Sequence, residues 1–295
     1  MSDTATAVNL GTIGVHYVEG ELTPEAAAEV ERIGYTALWI AGTRAARLTT
    51  VERVLAATET LVVATGVVNV WHTDARAVAD TYHWLETAHP GRFLLGIGAG
   101  HREFGADFRS PYQALVDYLD VLDERGVPKQ GRALAALGPR MLKLAAERSA
   151  GPYPFLVTPA YTRRSRELVG PDALLAVEHK VALGDPDSTR AAGRDAIKVN
   201  LGLANYRANL TRMGFGEEDL ADCGSDTLVD ALVAQGDAAT AARQLRTQLE
   251  AGASHLVVHA VPTADRLRIL TALAPELGVA ARRSGETALR NGDQP

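Results

Sequence analysis

Five of the eight histidines of this chain fall at or just beyond the ends of short apolar runs. They are His16, His72, His101, His179 and His259. Histidine changes charge closest to neutral pH, so this placement first suggests acid–base chemistry. His16 precedes Tyr17, His72 follows Asn69-Val70-Trp71, and His101 follows Gly98-Ala99-Gly100. These three are the candidate proton donors and acceptors. Clustered histidines can also bind zinc. Here, however, no His-x-His pair occurs, and His255 and His259, four apart on one strand, would stand roughly 13 Å from each other. Glu178 is the main acid available to complete a ligand set. The pattern favours proton transfer over a catalytic metal.

For these residues to meet, the runs that carry them must be strands whose ends share a rim. The strands expected are Leu10–Tyr17, Ala37–Ala41, Leu61–Asn69, Arg92–Gly98, Arg132–Ala136, Pro154–Thr158, Leu174–Val177 and His255–Ala260. Most are short and continuously apolar, as parallel strands covered on both faces are. Helical stretches alternate with them, several well punctuated: Thr23-Pro24 opens one and Gly34 closes it. Eight strands alternating with helices fit a (β/α)8 TIM barrel of the α/β class better than an open sheet. The seventh connection is oversized, and a helical insertion over about 185–236, suited to a lid or a subunit interface, is expected there. We read residues 1–280 as one domain and 281–295 as a frayed tail.

The run Gly91-Arg92-Phe93-Leu94-Leu95-Gly96-Ile97-Gly98-Ala99-Gly100 fits this scheme. Its glycines alternate and His101 stands where a dinucleotide turn needs its last glycine, which excludes that motif. Instead, a strand that ends in glycines lets the backbone approach a ligand closely. Composition narrows the class further. A net charge of −6 with scattered basic residues gives no footprint for nucleic acid or an anionic membrane. The single cysteine, Cys223, allows no intrachain disulfide. With neither a signal pattern nor an apolar run of spanning length, the expected location is cytoplasmic.

Several motifs together resemble the luciferase-like monooxygenase superfamily: Thr65-Gly66-Val67-Val68-Asn69-Val70-Trp71, His89-Pro90-Gly91-Arg92-Phe93 and Leu95-Gly96-Ile97-Gly98. With Ala135-Ala136-Leu137-Gly138-Pro139, Val157-Thr158-Pro159-Ala160-Tyr161-Thr162 and Gly224-Ser225-Asp226, they are similar to the branch that uses the deazaflavin coenzyme F420. The resemblance implies an oxidoreductase, usually a homodimer, acting by hydride transfer on a small organic substrate with a flavin-like ring in the barrel mouth. It implies a non-proline cis peptide behind that ring, matched here by Gly66–Val67. The implied coenzyme contacts are Gly66, Val67, Asn69, Gly98 and Gly100, with Thr158, Ala160, Tyr161 and Thr162 near its phosphate.

The chain departs from the family at the second strand. Many relatives carry an acid or histidine pair just after it, whereas this chain reads Ala41-Gly42-Thr43-Arg44. Proton chemistry must then come from His72, His101 or His16. Ala99 replaces a phosphate-binding arginine of the luciferases, which weakens the alternative coenzyme, FMN. An FMN-dependent monooxygenase and a non-catalytic flavin-binding barrel stay open as alternatives. Trp39 is expected either to pack in the core or to stack on the ring.

Overall fold

The computed structural model of the chain describes residues 8–100 and 110–281, so His101 and the tail from 282 lie outside the described residues. Among the described residues nine strands form: β1 Ile13–Val18, β2 Ala37–Ala41, β3 Val62–Thr65, β4 Val68–Asn69, β5 Phe93–Gly98, β6 Arg132–Leu134, β7 Ala176–Leu183, β8 Val233–Gly236 and β9 His255–Ala260. All their pairings are parallel. The ring runs β1, β2, β3 with β4, β5, β6, the segment 152–155, β7 and β9, and closes back on β1. It is the expected eight-walled barrel.

The helices α1 Pro24–Ile33, α2 Thr49–Ala57, α3 Ala75–Ala88, α4 Pro111–Glu124, α5 Pro139–Arg148 and α6 Pro159–Val169 follow the first six walls. α7 Pro186–Leu201, α8 Ala204–Arg212, α9 Glu217–Leu220 and α10 Asp226–Leu232 make up the insertion, and α11 Ala238–Glu250 and α12 Arg266–Glu276 complete the coat. Caps agree with the punctuation. Thr23 accepts from the Ala26 amide at the start of α1, and Gly34 ends that helix at φ 111°, a conformation that costs glycine little. The insertion has its own apolar core of Ile197, Leu210, Leu228, Val229 and Leu232.

Four local expectations need correction. The third strand, expected unbroken over Leu61–Asn69, divides into β3 and β4 at the Gly66–Val67 bond, which is cis as the resemblance implies. The sixth wall lies at 152–155 rather than Pro154–Thr158 and forms only isolated bridges. Pro152 and Pro154 supply no amide donors, so the wall is stitched by Tyr153 N–H to Leu134 and by Ala176 and Glu178 N–H to the two proline carbonyls. The seventh strand extends through Leu183, which puts Glu178, His179 and Lys180 inside the sheet rather than beyond it. Finally, the insertion expected to be helical over about 185–236 is not helical to its end: α10 stops at Leu232, and Val233–Gly236 becomes β8, pairing with Lys180–Leu183 outside the ring.

At the rim opposite the site, Glu31 of α1 ties down the entry to β3. Its carboxylate accepts from the amides of Glu59 (3.0 Å), Thr60 (2.7 Å) and Leu61 (2.9 Å) and from the Thr60 hydroxyl (2.8 Å). Burial alone would raise its pKa, but these four donors outweigh it and hold the group below 4.5. Removing the acceptor would strand several half-buried donors. Glu31→Ala is therefore expected to cost about 2 kcal/mol in urea unfolding at neutral pH. An unchanged urea midpoint would show that water replaces the carboxylate without loss.

Candidate active site

Side chains at 14 and 16 on β1, 37, 39 and 41 on β2, 176, 178 and 180 on β7, and 255, 257 and 259 on β9 alternate into the barrel, because strand side chains have a period of two. Trp39 fills the interior above the level of Ala37 and Ala176 and is fully buried, and is therefore core rather than a platform for a ring. Its Nε1 donates to His255 Nε2 at 3.1 Å, and His255 Nδ1 donates to the Gly11 carbonyl at 2.8 Å. His255 is thus a brace of the barrel floor.

Above Trp39 the interior divides into two unlike halves. On the β3–β6 side the residues are small. Gly66, Val67, Gly98, Ala99, Ala135 and Ala136 line one wall of a cavity of about 490 Å³, within the range of roughly 300–1,000 Å³ typical of small-molecule sites. A Cβ on Gly98 would meet Val67 Cγ2 at 2.6 Å and Ala135 Cβ at 3.2 Å, so glycine is what lets the bulge seat against β5. Gly100, at φ +59°, similarly lies against the Asn69 amide. Thr43, just beyond β2, donates to the Val67 carbonyl at 3.3 Å and braces the bulge from behind.

The β7–β9–β1 side is polar. Tyr153 and Glu178 line the same cavity, and the Tyr153 hydroxyl donates to Glu178 Oε2. The other oxygen, Oε1, lies 2.6 Å from His259 Nδ1. The rings of His259 and His16 stack at 3.8 Å with 13° between planes. Lys180 Nζ stands 3.4 Å from His259 Nε2 and 5.0 Å above the Phe155 ring. The Tyr153 ring stacks on Trp39 at 4.2 Å, which fixes its orientation. From the insertion, Ala204, Asn205 and Tyr206 at the start of α8 cover the cavity, with Tyr206 edge-on to Phe155 at 5.9 Å.

Burial dominates the electrostatics. It lowers His16 well below the usual imidazole value, aided by His259, Lys180 and Arg266 and opposed by Glu178. His259 is lowered well below 6.5 by burial, then by Lys180 and Arg266. Burial brings Lys180 down to about 8 against the pull of Glu178. It raises the Tyr153 phenol well above 10, and the Glu178 charge adds to the rise, so Tyr153 keeps its proton. At neutral pH both imidazoles are uncharged and the phenol is intact.

His16, Glu178 and His259 offer ligand atoms within 4.8 Å of one another. Two features argue for a hydrogen-bonded cluster over a metal centre. Stacked imidazoles aim their in-plane lone pairs side by side instead of at a common point, and the Lys180 ammonium, 3.5 and 3.4 Å from the two His259 ring nitrogens, would repel a cation held there.

The residues expected from sequence divide accordingly. Gly66, Val67, Gly98 and Gly100 line the cavity. His16 lies beneath it, with Nδ1 buried and without a partner among the described residues. His72 is exposed and does not line the cavity, because the turn after β4 carries it outward. Asn69 turns its carboxamide to the Trp71 amide at 2.9 Å. Thr162 needs the largest correction: it is fully buried and its hydroxyl donates to Gln248 at 2.6 Å, leaving none for a phosphate. Thr158 caps α6 through the Tyr161 amide, and the Tyr161 hydroxyl donates to the Leu137 carbonyl at 2.6 Å. Ala160, between them, is exposed at the helix start. Tyr153 and Phe155 were missed because the two prolines hide their alternation.

The class defined by this geometry is a parallel barrel whose mouth is flat and small-residue on one side and titratable on the other. Residues 12–125 match the family described as luciferase-like monooxygenase, so the resemblance read from the motifs holds over that stretch. No curated protein matches the chain by sequence. Among solved structures, the fold is shared with an F420-dependent secondary alcohol dehydrogenase in complex with an F420–acetone adduct, at 14% identity and TM-score 0.70 over 90% of this chain and 98% of that one. It is shared with the coenzyme F420-dependent tetrahydromethanopterin reductase of Methanopyrus kandleri (15%, 0.64, 90% and 99%). It is shared as well with the oxygenating constituent of 3,6-diketocamphane monooxygenase of Pseudomonas putida in complex with FMN (16%, 0.65, 90% and 98%). At these identities the likeness establishes the fold. Among the described residues no helix is long and apolar enough to cross a membrane.

Proposed function

We propose that this chain is an oxidoreductase that transfers a hydride between a deazaflavin coenzyme of the F420 type and a small, uncharged organic substrate. The observation that carries the reading is the two-sided cavity: a flat wall of Gly66, Val67, Gly98 and Ala135 facing the Tyr153–Glu178 pair. Any side chain larger than these would fill the space a planar ring needs. When bound, a deazaflavin ring accepts or donates a hydride; the protein orients the reactants and handles the accompanying proton. The coenzyme phosphate is assigned to the start of α6 at the exposed Ala160 amide, since the Thr158 side chain already takes the Tyr161 amide. The cavity lining is otherwise mostly apolar, and Glu178 is its one charged residue among the described residues, which suits a neutral substrate.

Titrating the protein with F420 and with FMN, each followed by fluorescence quenching, tests the reading. F420 is expected to bind at least about tenfold more tightly than FMN, a difference of about 1.4 kcal/mol. Tighter binding of FMN would instead favour a monooxygenase. Binding of neither would leave a barrel of this fold without its redox chemistry.

A further inference from the structure

The Tyr153–Glu178 pair is a proton acceptor aimed into the cavity, and its hydrogen bonds already run in the direction an alcohol would need. Tyr153 lines the cavity with its phenol oxygen beside Gly66, and since its one O–H is spent on Glu178 Oε2, that oxygen keeps lone pairs to accept with. Glu178 Oε1 is held at the other end by His259 Nδ1 at 2.6 Å. The carboxylate therefore cannot swing away, and Trp39 behind the phenol keeps that ring from turning. The walls around the pair are apolar, with Val67, Ala135, Leu137 and Phe155 among them. A ligand that pairs with Tyr153 would thus be a neutral molecule with one hydroxyl and an apolar body.

Resting on the functional reading above, we propose that Tyr153 and Glu178 are the catalytic acid–base pair of this chain and that they act on the hydroxyl of a small apolar alcohol. The hydroxyl donates to Tyr153 Oη. As the alcohol is oxidised, its O–H bond breaks and that proton passes to Tyr153, while the phenol's own proton passes to Glu178 Oε2. The carbinol C–H bond breaks with its electron pair, which leaves as hydride to the oxidised deazaflavin, and the carbonyl π bond forms from the O–H pair. The substrate loses two electrons, the coenzyme gains two, and one proton is left on Glu178. The reverse sequence reduces a carbonyl, with Tyr153 as the donor.

Two arms test this. In the first, binding of cyclohexanol and of cyclohexane to the coenzyme-free protein is measured by saturation-transfer NMR. Tyr153→Phe, which keeps the ring and its stacking, is expected to weaken cyclohexanol about tenfold and leave cyclohexane unchanged. Wild-type protein that does not bind cyclohexanol, or a variant that binds it equally well, overturns the proposal. In the second arm, the protein is loaded with F420 and bleaching of the oxidised coenzyme is followed on addition of a panel of short primary and secondary alcohols. Tyr153→Phe and Glu178→Gln should slow bleaching by about a hundredfold or more, while F420 titrations of both match wild type. If no alcohol bleaches the coenzyme, or the variants keep pace, the pair is not the acid–base machinery. Wild-type protein that binds no F420 overturns the functional reading instead, and the cyclohexanol arm then decides the hydroxyl site by itself.

Discussion

Gly96→Ala is expected to lower stability by about 3–5 kcal/mol and the thermal midpoint by about 5–10 °C. A Cβ on Gly96 would stand 1.8 Å from the Thr65 carbonyl oxygen and 3.0 Å from its carbon. Those are backbone atoms of the neighbouring strand, so no rotamer change relieves the contact. The same residue pair exchanges two bonds through one hydroxyl: the Gly96 amide donates to Thr65 Oγ1 at 2.8 Å, and that hydroxyl donates to the Gly96 carbonyl at 2.8 Å. Separating the strands enough to admit a methyl breaks both, in a place without water to replace them. Gly98→Ala is the matched control. Its nearest neighbour is the Val67 side chain at 2.6 Å, which can rotate, so the cost should be clearly smaller. Calorimetry on the two variants decides the matter. A Gly96→Ala midpoint within a degree or two of wild type would mean that β3 and β5 are looser than their contacts imply.

That pair of glycines shows what the sequence could and could not reveal. Alternating glycines at a strand end announced close approach, and the family motif located the cis bond at Gly66–Val67. Yet only packing distinguishes Gly96, pressed against backbone, from Gly98, pressed against a side chain and facing a cavity. The barrel itself was legible because buried parallel strands read as continuous apolar runs. The sixth wall was not, since Pro152 and Pro154 remove the donors and the periodicity by which a strand is recognised. This gap hid Tyr153, and ending the seventh strand at Val177 left Glu178 and Lys180 looking like loop residues. Thr162 failed for a different reason. A threonine in the first turn of a helix reads equally well as a phosphate contact or an inward hydrogen bond, and the deciding partner, Gln248, lies far away in sequence on α11.

The second strand also makes sense only in three dimensions. Thr43 carries no general base, but its hydroxyl holds the Val67 carbonyl from behind. The polar groups of the mouth instead stand across the barrel, on β7, β9, β1 and the segment that bears Tyr153. Strand alternation explains how that happens without a local motif: Glu178, His259 and His16 belong to three strands that are neighbours in the ring and distant in sequence. A linear search for paired catalytic residues has nothing to find there.

Buried neutral histidines make the fold acid-labile, and the expected effect is large. His16, His179, His255 and His259 all have pKa values lowered by burial, His179 and His255 to about 4 and the stacked pair well below 6.5. Positive neighbours add to the effect for three of them: Lys180 beside His179, and Lys180 with Arg266 around His16 and His259. In the unfolded chain each imidazole takes up a proton near its ordinary value of 6.5, whereas in the folded chain it does not. The unfolded state therefore binds more protons as pH falls below 6.5, and stability drops by up to about 1.4 kcal/mol per unit for each group until its folded value is reached. Four such groups together approach about 5 kcal/mol per unit. Integrated from neutral pH, the loss is about 3 kcal/mol at pH 6 and about 8 kcal/mol at pH 5, which against a total stability of about 5–15 kcal/mol removes half or more of it across that interval. Circular-dichroism melts taken from neutral pH downward should show the midpoint falling steeply across that interval. His179→Gln, which can keep an acceptor for Gln248, should remove about a quarter of the slope. A melting temperature that stays level from about pH 7 to pH 5 would sink the argument, because the cluster would then be accepting protons inside the intact barrel.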